Sequence, residues 1–195
     1  MAGMRLRPGT VSYLARATRT LRSCKSWNVG KEKVLSDVVE GWRSNDYLAS
    51  QVSSNPARFA AFCALSMHDP GQASEELRRC VKEYGMVGAM LNDFQNGEDG
   101  KPKYYDGPEY ELFWKTVQEL DTVVYIHPRF PHPTVIENLF GNRRALLGAC
   151  WWVQSSCASW NRSFALGVGT HILGLCTNGV FDRFPDVKLA YHLAP

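Results

Sequence analysis

Thr-Val-Val-Tyr-Ile-His-Pro-Arg, residues 122–129, decides the fold of this chain, because an apolar run ends there in a histidine and is stopped by a proline. Such a run predicts a buried parallel strand that presents one side chain, that of His127, at its C-terminal end. A helical pattern closes at Leu120, so only Asp121 separates this helix from the strand. The connection is therefore predicted to be a tight αβ turn.

The same order of elements recurs on both sides of this stretch. Before it, the pattern predicts a helix from Val34 with Val38, Trp42, Ala49 and Val52 near one face, a strand over Arg58–Leu65 and a helix from the N-cap Asp69 to Gly85. A strand over Met86–Leu91, a polar loop to Lys103 and a helix begun by an acidic capping box at Asp106–Glu109 come next. After it, the pattern predicts a helix over Ser163–Phe181 and a strand over Val187–His192. Four repeats of strand and helix predict an α/β fold with a parallel sheet and right-handed crossovers.

Composition separates a basic N-terminal segment from the rest. The chain has 195 residues, 45% of them hydrophobic, which is enough for one sizeable core. The charged residues before residue 32 are all basic, a composition typical of mitochondrial transit peptides. We expect residues 1–33 to be disordered or wrongly assigned to the gene, and residues 34–195 to form the domain. A cytoplasmic location is expected, with a mitochondrial one as the alternative.

Several classes of partner are not expected. The net charge of +3 arises largely in the N-terminal segment, so no nucleic-acid-binding surface is predicted. No apolar run reaches the roughly 18 residues that a membrane span needs. Six cysteines, with no Cys-x-x-Cys pair, predict reduced thiols and neither a disulfide framework nor a zinc site.

Two histidines stand at the ends of predicted strands. His127 and His192 would open onto one crevice, because the carboxyl ends of parallel strands form the same edge of a sheet. A metal ligand and a proton-transfer group are a reasonable pair for such a crevice. The alternative is two packed histidines hydrogen-bonded to backbone carbonyls. His68, His132 and His171 are predicted to be mainly structural or exposed.

Several motifs, in the same order, resemble the amidohydrolase-related decarboxylases, and most of all the fungal 2,3-dihydroxybenzoate and γ-resorcylate decarboxylases. The likeness covers residues 43–150 and 163–193, and its motifs are Asn45-Asp-Tyr-Leu-Ala49, Asn55-Pro-Ala-Arg-Phe59, Ala64-Leu-Ser-Met-His-Asp-Pro70, Glu75-Glu-Leu-Arg-Arg-Cys-Val81, Val87-Gly-Ala-Met-Leu-Asn-Asp-Phe94, Tyr104-Tyr-Asp106, Tyr125-Ile-His-Pro-Arg129 and Gly179-Val-Phe-Asp-Arg-Phe-Pro185.

The resemblance implies a fold, a reaction and two site residues. The family fold is a distorted (β/α)8 barrel, and its members remove carbon dioxide from hydroxylated benzoic acids with one divalent metal, Zn, Mn or Mg. His127 matches the family's metal-ligand histidine, and His192 matches the histidine that transfers a proton beside the metal. A small aromatic carboxylic acid is the implied substrate, and a homo-oligomer is the implied assembly of a complete member.

The sequence also departs from the family pattern. The family's Glu-x-His strand and its later aspartate ligand are not found, and Tyr191 and Leu193 flank His192 where the family has Gly-His-x-Gly-Glu. We therefore expect a partial barrel, about strands three to six of eight. We also expect the metal to bind poorly and the chain alone not to turn over a dihydroxybenzoate.

Residues 152–162 interrupt the family-like sequence. They contain two tryptophans and three serines without helical or strand period, which favours an inserted segment outside the core over an aromatic lid. Two other functions stay open beside decarboxylation. One is a hydrolase of the same superfamily that uses metal-bound water, and the other is a non-catalytic fragment or pseudo-enzyme.

Overall fold

The structure, a computed structural model, describes residues 31–96, 101–128 and 160–191. Its helices and strands, in chain order, are α1 (Lys31–Ser53), β1 (Phe62–Ala64), α2 (Pro70–Tyr84), β2 (Gly88–Asn92), β3 (Gln95–Asn96), β4 (Pro102–Lys103), α3 (Glu111–Glu119), β5 (Val123–His127), α4 (Trp160–Thr177), α5 (Val180–Arg183) and β6 (Lys188–Tyr191). A turn of 3-10 helix, Pro108–Tyr110, leads directly into α3.

A four-stranded sheet lies at the centre, in the order β1, β2, β5, β6, and every neighbouring pair is parallel. The register aligns Ala64 with Met90, Met90 with Tyr125, and Tyr125 with Ala190. β3 and β4 form a separate antiparallel ribbon. The predicted α/β class with a parallel sheet is confirmed, and over the described ranges this sheet is open and does not close into a barrel.

One face of the sheet is buried in the core. Alternate residues of a strand point to the same face, and Cys63, Leu91 and Val124 on this face have no exposed surface. They belong to one core with the buried stripes of α2 and α3, which are Ala73, Leu77, Cys80, Phe113, Trp114 and Val117. The two helices predicted from Asp69 and after Asp106–Glu109 are confirmed, and each buries one apolar stripe.

The opposite face carries larger and more polar side chains. Phe62, Met90, Tyr125 and His127 alternate with the buried residues and therefore lie on this side. The rings of Phe62 and Tyr125 are 6.1 Å apart, and those of Tyr125 and His127 are 5.8 Å apart. His127 thus lies on the face of the sheet opposite to Leu91 and Val124.

The turn that precedes β5 is as tight as predicted. Asp121 has a left-handed backbone conformation with φ of 49°, and its carboxylate forms an ion pair with Lys188 on β6. The hydroxyl of Thr122 donates to the carbonyl of Val87, just before β2, at 2.8 Å. β5 is therefore tied at its N-terminal end to both neighbouring strands.

α2 begins and ends at the predicted caps. The carboxylate of Asp69 accepts hydrogen bonds from the backbone N–H groups of Gly71 and Gln72, at 2.8 and 3.2 Å. Gly85 adopts a left-handed conformation with φ of 64°, and its N–H donates to the carbonyl of Cys80. Both ends of this helix follow from local capping chemistry.

The strand predicted over Arg58–Leu65 is shorter and comprises only Phe62–Ala64. After α1 the chain turns at Asn55, whose carbonyl accepts hydrogen bonds from the N–H groups of Arg58 and Phe59. These bonds hold the backbone in a turn as far as Phe59. Extended pairing with β2 can therefore start only beyond it.

Trp42 does not lie on the buried face of α1 as predicted, because 44% of its surface is exposed. The buried face passes through Asn45 and Leu48. Gly41 lies on the same side, where an added Cβ would be 3.5 Å from the carbonyl oxygen of Ala64. Because Gly41 faces β1, its neighbour Trp42 is rotated outwards.

The predicted loop to Lys103 contains the β3–β4 ribbon, so it is partly ordered as a hairpin. The predicted capping box after it does not form, because Gly107 is the N-cap residue and offers no side-chain bond. The carboxylate of Asp106 instead accepts a hydrogen bond from Asn178 at 2.8 Å.

α4 extends from Trp160 to Thr177, and α5 follows as a separate short helix after Gly179, which has a φ of 67°. The last three residues of the predicted inserted segment, 160–162, therefore have helical backbone. Residues 152–159, most of the N-terminal segment, His132 and His192 lie outside the described residues.

Two further expectations concern cysteines and membranes. Cys63, Cys80 and Cys176, which lie in the described ranges, are free thiols. No helix in those ranges combines the length and the apolar character that a membrane crossing requires.

Candidate active site

His127 is the last residue of β5, as the sequence predicts. Its ring nitrogen Nδ1 lies 2.8 Å from the backbone carbonyl oxygen of Pro128. A carbonyl oxygen can only accept a hydrogen bond, so this contact assigns the ring proton to Nδ1 and the lone pair to Nε2. A neutral imidazole whose other nitrogen is fixed by a carbonyl is the usual form of a histidine that binds a metal.

Asn92 is a second candidate site residue, which the sequence pattern did not reveal. It is the last residue of β2 and pairs in register with His127, so both side chains lie on the same face at the same edge of the sheet. The N–H of Asp93, the next residue, donates to the carbonyl of His127 at 3.0 Å. The one available signal in the sequence was position, because Asn92 is the polar residue that ends the apolar run of β2, just as His127 ends the apolar run of β5.

The relation of His192 to this edge stays a prediction. β6 is the neighbour of β5, and the last described pair in their register is Ile126 with Tyr191. Each of these residues directly precedes one of the two predicted site histidines. His192 itself lies outside the described residues.

The connection that follows β2 is packed against α4 by polar contacts. Asp93 is 2% exposed, and Tyr105 and His171 are completely buried. Burial raises the pKa of Tyr104, and the carboxylates of Asp93 and Asp106 raise it further. The tyrosine hydroxyl is therefore held in its neutral form near the carboxyl end of β2.

His171 is a structural residue, one of the two roles that the sequence suggested for it. Its Nε2 accepts a hydrogen bond from the backbone N–H of Tyr105 at 3.0 Å. Burial lowers its pKa to about 4, and the backbone of Asp93 and the carboxylate of Asp106 offset this only in part. His171 is therefore neutral at physiological pH. His68, for which the same two roles were predicted, lies half-buried before α2.

The described residues supply few metal ligands. Over residues 31–96, 101–128 and 160–191, no group of three or more His, Cys, Asp or Glu side chains could hold a metal ion. His127 and the amide of Asn92 are the groups that this part of the chain brings to the candidate edge. Their chemistry fits one side of a metal and substrate site, and not a complete ligand cage.

The chain matches a family model and a curated protein. A family model described as Amidohydrolase matches residues 38–192. The γ-resorcylate decarboxylase of Polaromonas sp. (strain JS666 / ATCC BAA-500) is 42% identical over 148 residues, which are 75% of this chain and 42% of that protein. The chain thus spans less than half the length of this curated relative.

Two solved structures share both fold and sequence with the chain. A 2,6-dihydroxybenzoate decarboxylase complexed with 2,6-dihydroxybenzoate has a TM-score of 0.67 and 37% identity, over 81% of this chain and 45% of that one. A dihydroxybenzoic acid decarboxylase from Polaromonas sp. JS666, with bound manganese and the inhibitor 2-nitroresorcinol, has a TM-score of 0.67 and 38% identity, over 81% and 44%. The open sheet described above corresponds to part of such a barrel.

Proposed function

Since the chain belongs to the amidohydrolase family, we propose that it forms part of a metal-dependent decarboxylase that acts on a hydroxylated benzoic acid. The observation that carries this proposal is His127, held in its metal-binding tautomer at the carboxyl end of a parallel strand. The similarity to decarboxylases of dihydroxybenzoates, one of them with bound manganese, supports the choice of reaction and of metal.

His127 is the proposed metal ligand, through Nε2. A divalent metal bound there, Mn²⁺ being the first candidate, would act as a Lewis acid on the carboxylate and phenolic oxygens of the substrate. We expect weak binding in this chain, because a catalytic metal generally has three or more protein ligands. Mg²⁺ and Zn²⁺ are the other candidates.

Asn92 is proposed to orient the substrate. Its amide shares the face and the edge of His127 and offers both donors and an acceptor. A hydroxylated benzoate presents a carboxylate and a phenolic oxygen side by side, and an amide N–H donor suits either one. Asn92 would then fix the ring relative to His127.

His192 is proposed to deliver the proton. Carbon dioxide leaves an aromatic ring readily only after the ring carbon that bears the carboxylate becomes sp³, so an acid must protonate that carbon first. A histidine can donate this proton near neutral pH and be reprotonated from water. If the β5–β6 register continues by one residue beyond Tyr191, His192 stands beside His127.

The test uses a chimera, because the chain spans less than half of the Polaromonas decarboxylase. Residues 38–192 replace the matching segment of the Polaromonas decarboxylase, and the purified chimera is assayed with Mn²⁺ and 2,6-dihydroxybenzoate. We expect release of carbon dioxide and 1,3-dihydroxybenzene. His192→Ala should lose about 10²- to 10⁴-fold in kcat. His127→Ala should no longer be activated by Mn²⁺. The 195-residue chain alone is expected to show no turnover.

Ser50→Ala serves as the control, because Ser50 is exposed on α1 and its hydroxyl donates to the carbonyl of Tyr47 on the same helix. Its activity should equal that of the unmodified chimera. A folded, Mn²⁺-loaded chimera that hydrolyses amide or ester substrates and leaves dihydroxybenzoate intact would replace this proposal with the hydrolase. A folded, loaded chimera with neither activity would contradict both.

A further inference from the structure

One stripe of α4 packs against the connection that follows β2. Its members recur at helical spacing on one side of the helix and are Gly167, His171 and Gly174, together with Asn178, which directly follows the helix and donates its N–H to the carbonyl of Gly174. We call them the α4 stripe. Each of them touches Asp93, Tyr105 or Asp106 of that connection, as the following contacts show.

The two glycines of the α4 stripe allow close approach. A Cβ at Gly167 would lie 2.4 Å from an oxygen of the Asp93 carboxylate, and a Cβ at Gly174 would lie 2.4 Å from an oxygen of the Asp106 carboxylate. At these distances a side chain at either position would require the facing carboxylate to move. The same oxygen of Asp106 accepts the hydrogen bond from Asn178.

His171 stands between these glycines and binds the backbone of the connection. Because its Nε2 accepts from the N–H of Tyr105, the ring proton must lie on Nδ1. Its ring contacts those of Tyr105 and Tyr104, with centroids 4.8 and 5.4 Å away. A buried donor that loses its acceptor is costly, so the Tyr105 N–H holds the connection to α4.

The connection is fixed from two further sides. The carbonyl of Tyr105 accepts a hydrogen bond from the indole N–H of Trp114 at 2.6 Å, so both backbone groups of Tyr105 are bound by side chains. At its other end, Asp93 donates its backbone N–H to the carbonyl of His127. α4 joins these two ends, because Gly167 lies against Asp93 while His171, one turn further along the helix, binds Tyr105.

We infer that His171 is a positioning residue: it holds the backbone of the connection after β2 and so keeps Asn92 and Asp93 in place against His127. Its effect on catalysis rests on the proposed function, whereas its effect on the position of these residues does not. His171 touches neither substrate nor metal in this arrangement.

The experiment is NMR spectroscopy of the ¹⁵N-labelled 195-residue chain without metal or substrate. In the wild-type chain we expect the ring of His171 to carry its proton on Nδ1 and the amide of Tyr105 to exchange slowly with solvent. An Nε2–H tautomer would overturn the inference without any variant.

Two substitutions then distinguish the effect of losing the hydrogen bond to Tyr105 from the effect of losing the imidazole ring. In His171→Gln the amide oxygen reaches the position of Nε2, so the Tyr105 amide should stay protected. In His171→Asn the shorter side chain cannot reach it, and we expect exchange at Tyr105 to be about tenfold faster or more. The amide signals of Asn92, Asp93 and His127 should shift in the Asn variant and not in the Gln variant.

Thr177→Ala is the matched control, since its hydroxyl bonds only to carbonyls within α4, and it should change none of these signals. Equal exchange at Tyr105 in the Gln and Asn variants would overturn the inference. So would unshifted Asn92 and His127 signals in an Asn variant that has lost protection at Tyr105.

If the Asn variant does not fold, Gly174→Ala tests the same packing, and wild-type signals for Tyr105 and Asn92 there would contradict it. None of these measurements depends on turnover, so a failed decarboxylation assay leaves them unaffected.

Discussion

Asn45 on α1 completes the hydrogen bonding at one edge of the sheet. Its Oδ1 accepts from the N–H of Ala64 at 2.8 Å, and its Nδ2 donates to the carbonyl of Ala64 at 3.0 Å and to Glu76 at 2.8 Å. Unpaired backbone groups on an edge strand favour association with another chain. The single amide takes the place of a neighbouring strand at this point of β1.

Asn45→Ala should therefore destabilise the protein strongly. The substitution leaves the N–H and C=O of Ala64 without this partner, whereas the Glu76 oxygen keeps its bond from Arg79. Each buried unsatisfied group costs about 1–3 kcal/mol. We expect urea unfolding to show a loss of about 3 kcal/mol or more. Ser50→Ala, which removes an exposed bond to Tyr47 on the same helix, should stay within about 0.5 kcal/mol. A loss below about 1 kcal/mol for Asn45→Ala would argue against this role.

Gly88 lets β2 approach β5. Its φ is 156°, and a Cβ there would lie 1.9 Å from the carbonyl oxygen of Val123. We expect Gly88→Ala to cost more than about 4 kcal/mol or to prevent folding, as followed by thermal melting in circular dichroism. Gly169→Ala has no neighbouring atom within 4 Å of the new Cβ and should be neutral or stabilising by up to about 1 kcal/mol. Similar melting temperatures for the two variants would contradict the β2–β5 register.

Among the elements, α2 and α4 show what local sequence can and cannot predict. The ends of α2 were predicted correctly because Asp69 and Gly85 cap it through bonds to its own backbone. The partner of the α4 stripe was not predicted, because a helix rich in small residues does not show what it packs against. The β3–β4 ribbon was also missed, because two-residue strands carry no detectable alternation.

The packing of α4 makes stability depend on pH. Burial lowers the pKa of His171 to about 4, against about 6.5 in an unfolded chain. Between these values the unfolded chain binds a proton that the folded chain does not, so stability falls as the pH decreases from about 6.5 to 4. The backbone of Asp93 and the carboxylate of Asp106 oppose this effect only in part. Tyr104, whose ring also faces His171, has a raised pKa and stays neutral over this range.

Wild-type protein should therefore lose more stability on acidification than His171→Gln, which cannot titrate. The full linkage corresponds to about 3 kcal/mol, and we expect an excess loss of about 2–3 kcal/mol between pH 7 and pH 4. Urea unfolding of both proteins across this range measures it. Parallel stability curves would show that His171 is not buried in its neutral form.

At the scale of the whole molecule, the sheet separates core residues from the candidate site residues. One face joins the core through residues such as Leu91 and Val124, while the other carries His127 beside Asn92. Strand periodicity predicted the parallel sheet and the place of His127, because both depend on alternation and chain order. Asn92 was missed, because a polar residue that ends an apolar run has no chemical signature until the register of β2 and β5 is known.

The central claim is that the adjacent strands β5 and β6 bring His127 and His192 to one metal site. It is tested most directly by titrating the ¹⁵N-histidine-labelled chain with paramagnetic Mn²⁺ and following the ring signals of each histidine. We predict that the signals of His127 and His192 broaden together, before those of His68 and His171. In His127→Ala, His192 should stay sharp at the same Mn²⁺ concentration. A His127 ring that stays sharp while other histidines broaden, or His192 broadening that persists in His127→Ala, would contradict the shared site.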